Sequence, residues 1–264
     1  MERFRFKTAP FTREIKIEHR LKVANIEDQV AALKAAADQR QSAVLVAPAG
    51  CGKTVALRAL RALLPEVRYK TTYIKLADLS ARDMCREVAL ALGVAPTGQY
   101  PGLVRAIEER LRAGYIDCGV RQVIIFDDAH EMRPEVLRLV RLLTNFEMDS
   151  RLVVSVILAG QMALKKILLQ DELEDIRQRL SHCGELSLLT REETRAYVDH
   201  RSLVAGASSV PFEPQAIEAI HEISRGNMRG IDRMALAALV EADRAQKPVV
   251  DAADVAIARA RTWT

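Results

Sequence analysis

The segment Ala47-Pro48-Ala49-Gly50-Cys51-Gly52-Lys53-Thr54 has the residue types and spacing of a loop that cradles phosphate. Gly50 and Gly52 allow the backbone to approach a charged ligand. The N–H groups of such a loop, with the start of the helix that follows, point at phosphate oxygens. The Lys53 ammonium would neutralise β- and γ-phosphate charge, and the Thr54 hydroxyl would ligate magnesium. On this reading Pro48, Ala49, Gly50, Cys51, Gly52, Lys53, Thr54 and Val55 bind ATP with Mg2+. Ala47 stands where the pattern has its first glycine. A left-handed backbone there would cost alanine about 1–2 kcal/mol, so an ordinary backbone is expected.

A second run, Val123-Ile124-Ile125-Phe126-Asp127-Asp128, is apolar and ends in two carboxylates. Asp127 would hold magnesium, usually through water, and Asp128 would polarise the attacking water. The plain alternative is a solvated carboxylate pair at a strand end. Arg177 and Arg179 lie in Ile176-Arg177-Gln178-Arg179-Leu180. Either could reach the ATP of a neighbouring subunit, because a planar guanidinium stabilises developing phosphoryl charge. A solvated helix face accounts for them equally well.

The elements that must position these residues alternate between strand and helix. Ala43–Val46, Thr71–Leu76 and Gln122–Phe126 are rich in β-branched residues and each precedes a helical pattern, as in parallel βαβ units. Leu152–Leu158 makes a fourth strand and Glu185–Leu188 a fifth. Ser80 with Asp83, and Pro134, mark helix starts. Beyond residue 188 only helices are expected, opened by Thr190-x-x-Glu193, Pro214 and Asp251-x-x-Asp254. The expected architecture is α/β: a parallel-sheet nucleotide-binding domain with its N-terminal arm over residues 1–188, then a small C-terminal helical lid over 189–264.

Composition sets wider bounds. The 264 residues are 49% hydrophobic and 28% charged, the balance of an ordinary globular protein. The formal charge of +4 permits, without requiring, a partner rich in phosphate. The four cysteines, Cys51, Cys85, Cys118 and Cys183, are scattered and form no C-x-x-C pair, which points to a reducing compartment. The amino-terminal segment is charged throughout, and the most apolar run, Leu152 to Ala159, is far short of the ~20 residues a membrane-spanning helix needs. A cytoplasmic protein without a membrane span is expected. Trp263 is a candidate aromatic anchor for a partner or part of a frayed end.

Taken together, these residues resemble the AAA+ ATPases of the ExeA-like and TniB/TnsC/MuB-like branch. Pro10-Phe11-Thr12-Arg13-Glu14-Ile15 is similar to the N-terminal PFxxxI of that branch, and Asp127-Asp128-Ala129-His130 to its DEAH/DEAQ box. Ala159-Gly160-Gln161 resembles its GQ turn, Tyr197 to Gly206 its YIxHRLxxAG, and Gly226-Asn227-Met228-Arg229 its GxPR, with Met228 in place of the proline. The resemblance implies that Gln161 is the first γ-phosphate sensor and Arg229 the second, reporting to the lid. Most AAA+ proteins carry glutamate where Asp128 stands, so hydrolysis is expected to be slow or to need a partner.

Secretion ATPases of the ExeA type resemble this chain in the catalytic module but continue into a membrane span and a cell-wall-binding region. Modules of this length look like transposition regulators, which assemble with ATP as homo-oligomeric rings or filaments on duplex DNA and recruit a transposase, with a target-selection protein as a further possible partner. DNA contacts would be to phosphates and nearly sequence-blind, with Lys70, Lys75, Arg105 and Arg112 as candidates. A DNA-binding regulator of transposition is the leading expectation, and a secretion or signalling switch acting on proteins is the alternative.

Overall fold

A computed structural model describes residues 2–75, 78–146 and 151–262; Leu76 and Trp263 lie outside the described residues. By their contacts the residues form two compact units, Asn25–Ala49 with Lys53–Leu186, and Met1–Ala24 with Gly50–Gly52 and Ser187–Thr264.

The first unit is built on a five-stranded sheet of β1 (Ser42–Val46), β2 (Tyr69–Lys75), β3 (Arg121–Asp127), β4 (Val154–Gly160) and β5 (Leu180–Glu185), in the order β2-β3-β4-β1-β5. Every pairing is parallel. The central strands SAVLV and VSVILAG are buried along their whole length. That is the pattern of a sheet covered on both faces, and it explains why these runs are almost continuously apolar. Among the described residues, seven helices accompany the strands: α1 (Ala24–Asp38), α2 (Lys53–Ala62), α3 (Ala81–Leu92), α4 (Tyr100–Cys118), α5 (Pro134–Thr144), α6 (Met162–Leu168) and the short α7 (Glu174–Arg177). Ser80 caps α3 by accepting the Asp83 N–H, and Pro134 opens α5. Met84, Ile107, Ile124, Phe126, Leu137 and Leu143 are among the fully buried side chains of the core.

The fifth strand is Leu180–Glu185, one strand length earlier than Glu185–Leu188. Its sequence, LSHCGE, is polar because it is an edge strand with alternate residues exposed, while its backbone pairs with β1. Apolar content marks Leu186 and Leu189, which are buried just beyond it. The register sets Val46 beside Gly160 and Glu185, and Lys75 beside Asp127, so the carboxyl ends of the strands share one rim. Outside that rim is where open α/β sheets bind ligands.

The second unit holds α8 (Arg191–Val204), α9 (Pro214–Ser224), α10 (Met228–Arg244) and α11 (Ala252–Arg261). Thr190 with Glu193 and Asp251 with Asp254 form complete capping boxes at the starts of α8 and α11. The amino-terminal arm, expected with the sheet, groups with these helices. The cause is local: Phe11 is buried edge-on against Phe212 at 5.8 Å, the N–H groups of Lys7 and Thr8 donate to the Ala205 carbonyl, and Arg201 donates to the Thr12 carbonyl. Arg201 is itself buried, bonded through Nη1 to the Tyr197 hydroxyl at 2.9 Å and paired with Asp232 at 3.4 Å. Among the described residues, no helix is long and apolar enough to cross a membrane.

Candidate active site

Lys53 is the first residue of α2, so the turn that starts the helix aims its side chain along the strand-end rim. Its Nζ lies 2.8 Å from Asp128 Oδ1 and 3.3 Å from Asp127 Oδ1. The three residues singled out in two distant motifs therefore meet in one cluster. Asp127, the last residue of β3, is only 3% exposed, and its Oδ1 also accepts the Asp128 N–H at 2.9 Å. Asp128 is held with φ 57° and ψ 31°. A left-handed conformation in a residue other than glycine is uncommon, and here it turns the side chain to Lys53. Burial raises the Asp128 pKa, but the hydrogen bond and charge of Lys53 outweigh it, leaving the carboxyl below its ordinary value.

Tyr73, which no motif had marked, belongs to the same cluster. Its hydroxyl donates to Asp127 Oδ2 at 2.8 Å, and burial followed by this bond raises the phenol above its ordinary pKa. No signal in the sequence marks it; its place comes from the strand that neighbours β3, two residues from that strand's end.

At the loop tip Gly50 and Gly52 have φ of 84° and 87°. A Cβ on Gly50 would lie 2.5 Å from Asn227 Oδ1 and 3.0 Å from Arg229 Cβ, so a side chain there is excluded by space as well as by backbone conformation. The Arg229 N–H donates to the Gly50 carbonyl at 3.2 Å, and Asn227 caps α10 by accepting the Gly230 N–H. Ala47 has no positive φ, as expected, and its N–H donates to the Gly160 carbonyl at 3.1 Å. Cys51 is buried, and burial pushes its thiol pKa up. Thr54 and Ala49 are exposed, and Pro48 and Val55 half-buried.

Gln161 is exposed at the N-cap of α6, directly after β4. Arg177 and Arg179 are not part of the cluster. They precede β5, whose first residue Leu180 pairs with Ser42, so both lie at the opposite rim of the sheet from Lys53. Arg177 is exposed and pairs loosely with Glu174 at 3.7 Å. Lys70, Lys75, Arg105 and Arg112 are exposed.

A parallel sheet with a glycine-lined loop between β1 and α2, and with acids ending the strand two places away in the sheet, defines the P-loop class of α/β folds. Within that class, the family profile of the AAA domain matches residues 36–168, and the chain belongs to this family. General secretion pathway protein A of Aeromonas hydrophila is 33% identical over 206 residues, which is 75% of this chain and 36% of that protein, so this chain spans little more than a third of that relative's length. Among solved structures, Cdc6p from Pyrobaculum aerophilum superposes with a TM-score of 0.72 at 17% identity over 95% of this chain and 70% of that one. The Aeropyrum pernix ORC1 protein in complex with DNA gives 0.69 at 17% identity over 97% and 69%. The two structures share the fold.

Proposed function

We propose that the chain is an ATPase of the AAA family that binds ATP with magnesium at the Lys53–Asp127–Asp128 cluster and uses the nucleotide as a switch. The observation that carries this is the convergence of Lys53 with Asp128, 75 residues on in sequence, and with the adjoining Asp127, to 2.8 and 3.3 Å. The donor set fits the ligand. Thr54 and Asp127 offer hard oxygen ligands, and Gly50 leaves the loop free of a side chain. Among the described residues no three His, Cys, Asp or Glu could cage a metal. Magnesium is commonly held by only one or two protein oxygens with substrate phosphates and water. When bound, it supplies charge neutralisation on the phosphates.

In this reading Lys53 leaves the carboxylates for phosphate oxygens, and Asp128, freed of its cation, accepts a proton from water. Gln161 and Arg229 sense the terminal phosphate, and Arg177 or Arg179 acts on the site of a second copy. Placement of both arginines at the far rim from their own Lys53 supports a role between subunits over one within the chain. Residues 189–264 act as the lid.

What the switch drives is a finer question. The 33% identity to a secretion-pathway protein supports a switch acting on protein partners. The excess of basic residues and the resemblance to transposition regulators support assembly on duplex DNA with recruitment of a transposase. We favour the protein-partner reading, because it has a named relative behind it. The discriminating experiment measures phosphate release and sedimentation of the purified chain with ATP, with and without random duplex DNA, across a salt series. Phosphate release that disappears in Lys53→Ala is expected, and its absence in the unmutated chain would sink the ATPase reading. Ordered ATP-dependent assemblies on DNA would overturn our preference in favour of the transposition reading.

A further inference from the structure

Asp127 is the carboxylate on which the magnesium site depends, and its two oxygens are held from different directions. Oδ1 accepts the Asp128 N–H at 2.9 Å and faces Lys53 at 3.3 Å, whereas Oδ2 accepts the Tyr73 hydroxyl at 2.8 Å. The donors on Oδ1 come from the loop after β3 and from α2. Tyr73 comes from a third element, the edge strand β2.

The register explains how it reaches. Lys75 pairs with Asp127 and Tyr73 with Ile125, so Tyr73 is the diagonal neighbour of Asp127 on the same face of the sheet. With strands about 4.8 Å apart and a rise of about 3.3 Å per residue, such a diagonal is roughly 8 Å, within reach of an aromatic side chain. Packing does not account for the residue: Tyr73 is 42% exposed, while its neighbour Ile74 is 5% exposed and supplies the core contact. The hydroxyl is thus aimed at a buried carboxylate from a ring that the core does not require.

We infer that Tyr73 is a positioning residue for the magnesium-binding carboxylate, its hydroxyl fixing the plane in which Asp127 presents its lone pairs. This rests on the nucleotide-site reading above. Without the hydroxyl, Oδ2 has no donor among the described residues, and the carboxylate is free to turn both oxygens toward Lys53. Groups that orient a metal ligand without touching the metal are worth about 10–100-fold in metal affinity.

The test uses the full chain and the variant Tyr73→Phe. Binding of a fluorescent, slowly hydrolysed ATP analogue is followed as Mg2+ is titrated, and Mn2+ binding in the presence of the analogue is read by electron paramagnetic resonance. The apparent affinity for both ions should fall about 10–100-fold while metal-free binding of the analogue is unchanged. Tyr69→Phe is the control, since it removes a hydroxyl from the same strand at its other end, where the partner is Asp38, and should leave both titrations alone. A Tyr73→Phe titration that overlays the unmutated chain overturns the inference, as does a matching loss in Tyr69→Phe, which would mark damage to the strand. If the unmutated chain binds the analogue without any response to Mg2+, the nucleotide-site reading itself fails, an outcome distinct from either of these.

Discussion

Each compact unit contains a cluster made of a cation, an aspartate and a tyrosine, and the two clusters use these groups in opposite ways. In the sheet unit Lys53 faces Asp127 and Asp128 while Tyr73 donates to Asp127. In the helical unit Arg201 faces Asp232 while Tyr197 donates to it at 3.0 Å. Lysine brings a compact charge on a flexible stem that can be passed to another anion, whereas arginine brings a rigid fork. The Arg201 fork is held on both arms, one on Tyr197 and Asp232 and the other on the Thr12 carbonyl, with its Cζ 5.6 and 5.9 Å from the ring centroids of Tyr197 and Phe11. The Lys53 cluster instead holds its lysine with carboxylates alone, one of them 29% exposed. The difference separates a buried charge that fastens the arm from a charge held by two carboxylates, one of them open to solvent.

The largest effect should come from breaking the fastened cluster. Arg201→Met leaves the largely buried Asp232 without its paired cation and the Thr12 carbonyl without its donor, and should destabilise the helical unit by about 3–5 kcal/mol, read as a lower urea midpoint and faster proteolysis of residues 1–24. A stability change below about 1 kcal/mol would remove the distinction drawn above. Lys53→Met should behave in reverse. Phosphate release should fall about 10²–10³-fold, the usual loss for one preorganised donor to developing charge. Stability should change by about 1 kcal/mol or less, because Asp127 keeps its bonds from Tyr73 and the Asp128 N–H, and Asp128 reaches water. A large loss of stability in Lys53→Met would make that cluster structural too.

These two clusters were unequally legible in the sequence. Lys53, Asp127 and Asp128 can be read because a phosphate loop demands fixed types at fixed spacing and a buried strand ending in acids is rare without a use. The central strands and the capping boxes are legible for the same reason, each being a local pattern with a local cause. Tyr73 was not, since its role depends on the strand order β2-β3 and on register, neither of which leaves a mark in YKTTYIK. The arm-to-helix fastening escaped because Phe11 and Thr12 lie about 190 residues from Arg201, and the arm lies closest in sequence to the sheet. β5 was displaced because an edge strand needs no apolar run, so its polar sequence hid it beside the apolar Leu186 to Leu189.

The smallest effect is a difference in sign with pH. Burial raises the Asp232 pKa to about 6, against the lowering influence of Arg201, the Tyr197 hydrogen bond and Arg13. The folded chain then holds a proton that the unfolded chain releases, so this group's contribution is full below about pH 4 and is lost as pH rises through 6, at most about 3 kcal/mol. Asp128 is shifted the other way, and its contribution is present above the ordinary carboxylate pKa and lost as pH falls through its lowered folded value. Other acids with lowered pKa values, among them Asp38 and Asp251, also weaken the fold in acid, so the absolute stability curve hides both effects. The informative quantity is each variant's urea midpoint minus that of the unmutated chain, taken between about pH 2 and 7, a range that spans the ordinary carboxylate pKa from below. For Asp232→Asn the difference should move in the variant's favour as pH rises, because the amide stays neutral where the carboxyl must ionise in a buried site. For Asp128→Asn it should move against the variant from low pH upward, because the unmutated chain regains its bond to Lys53. Two curves of the same slope would show that the clusters do not differ in how they hold charge, whatever their difference in burial.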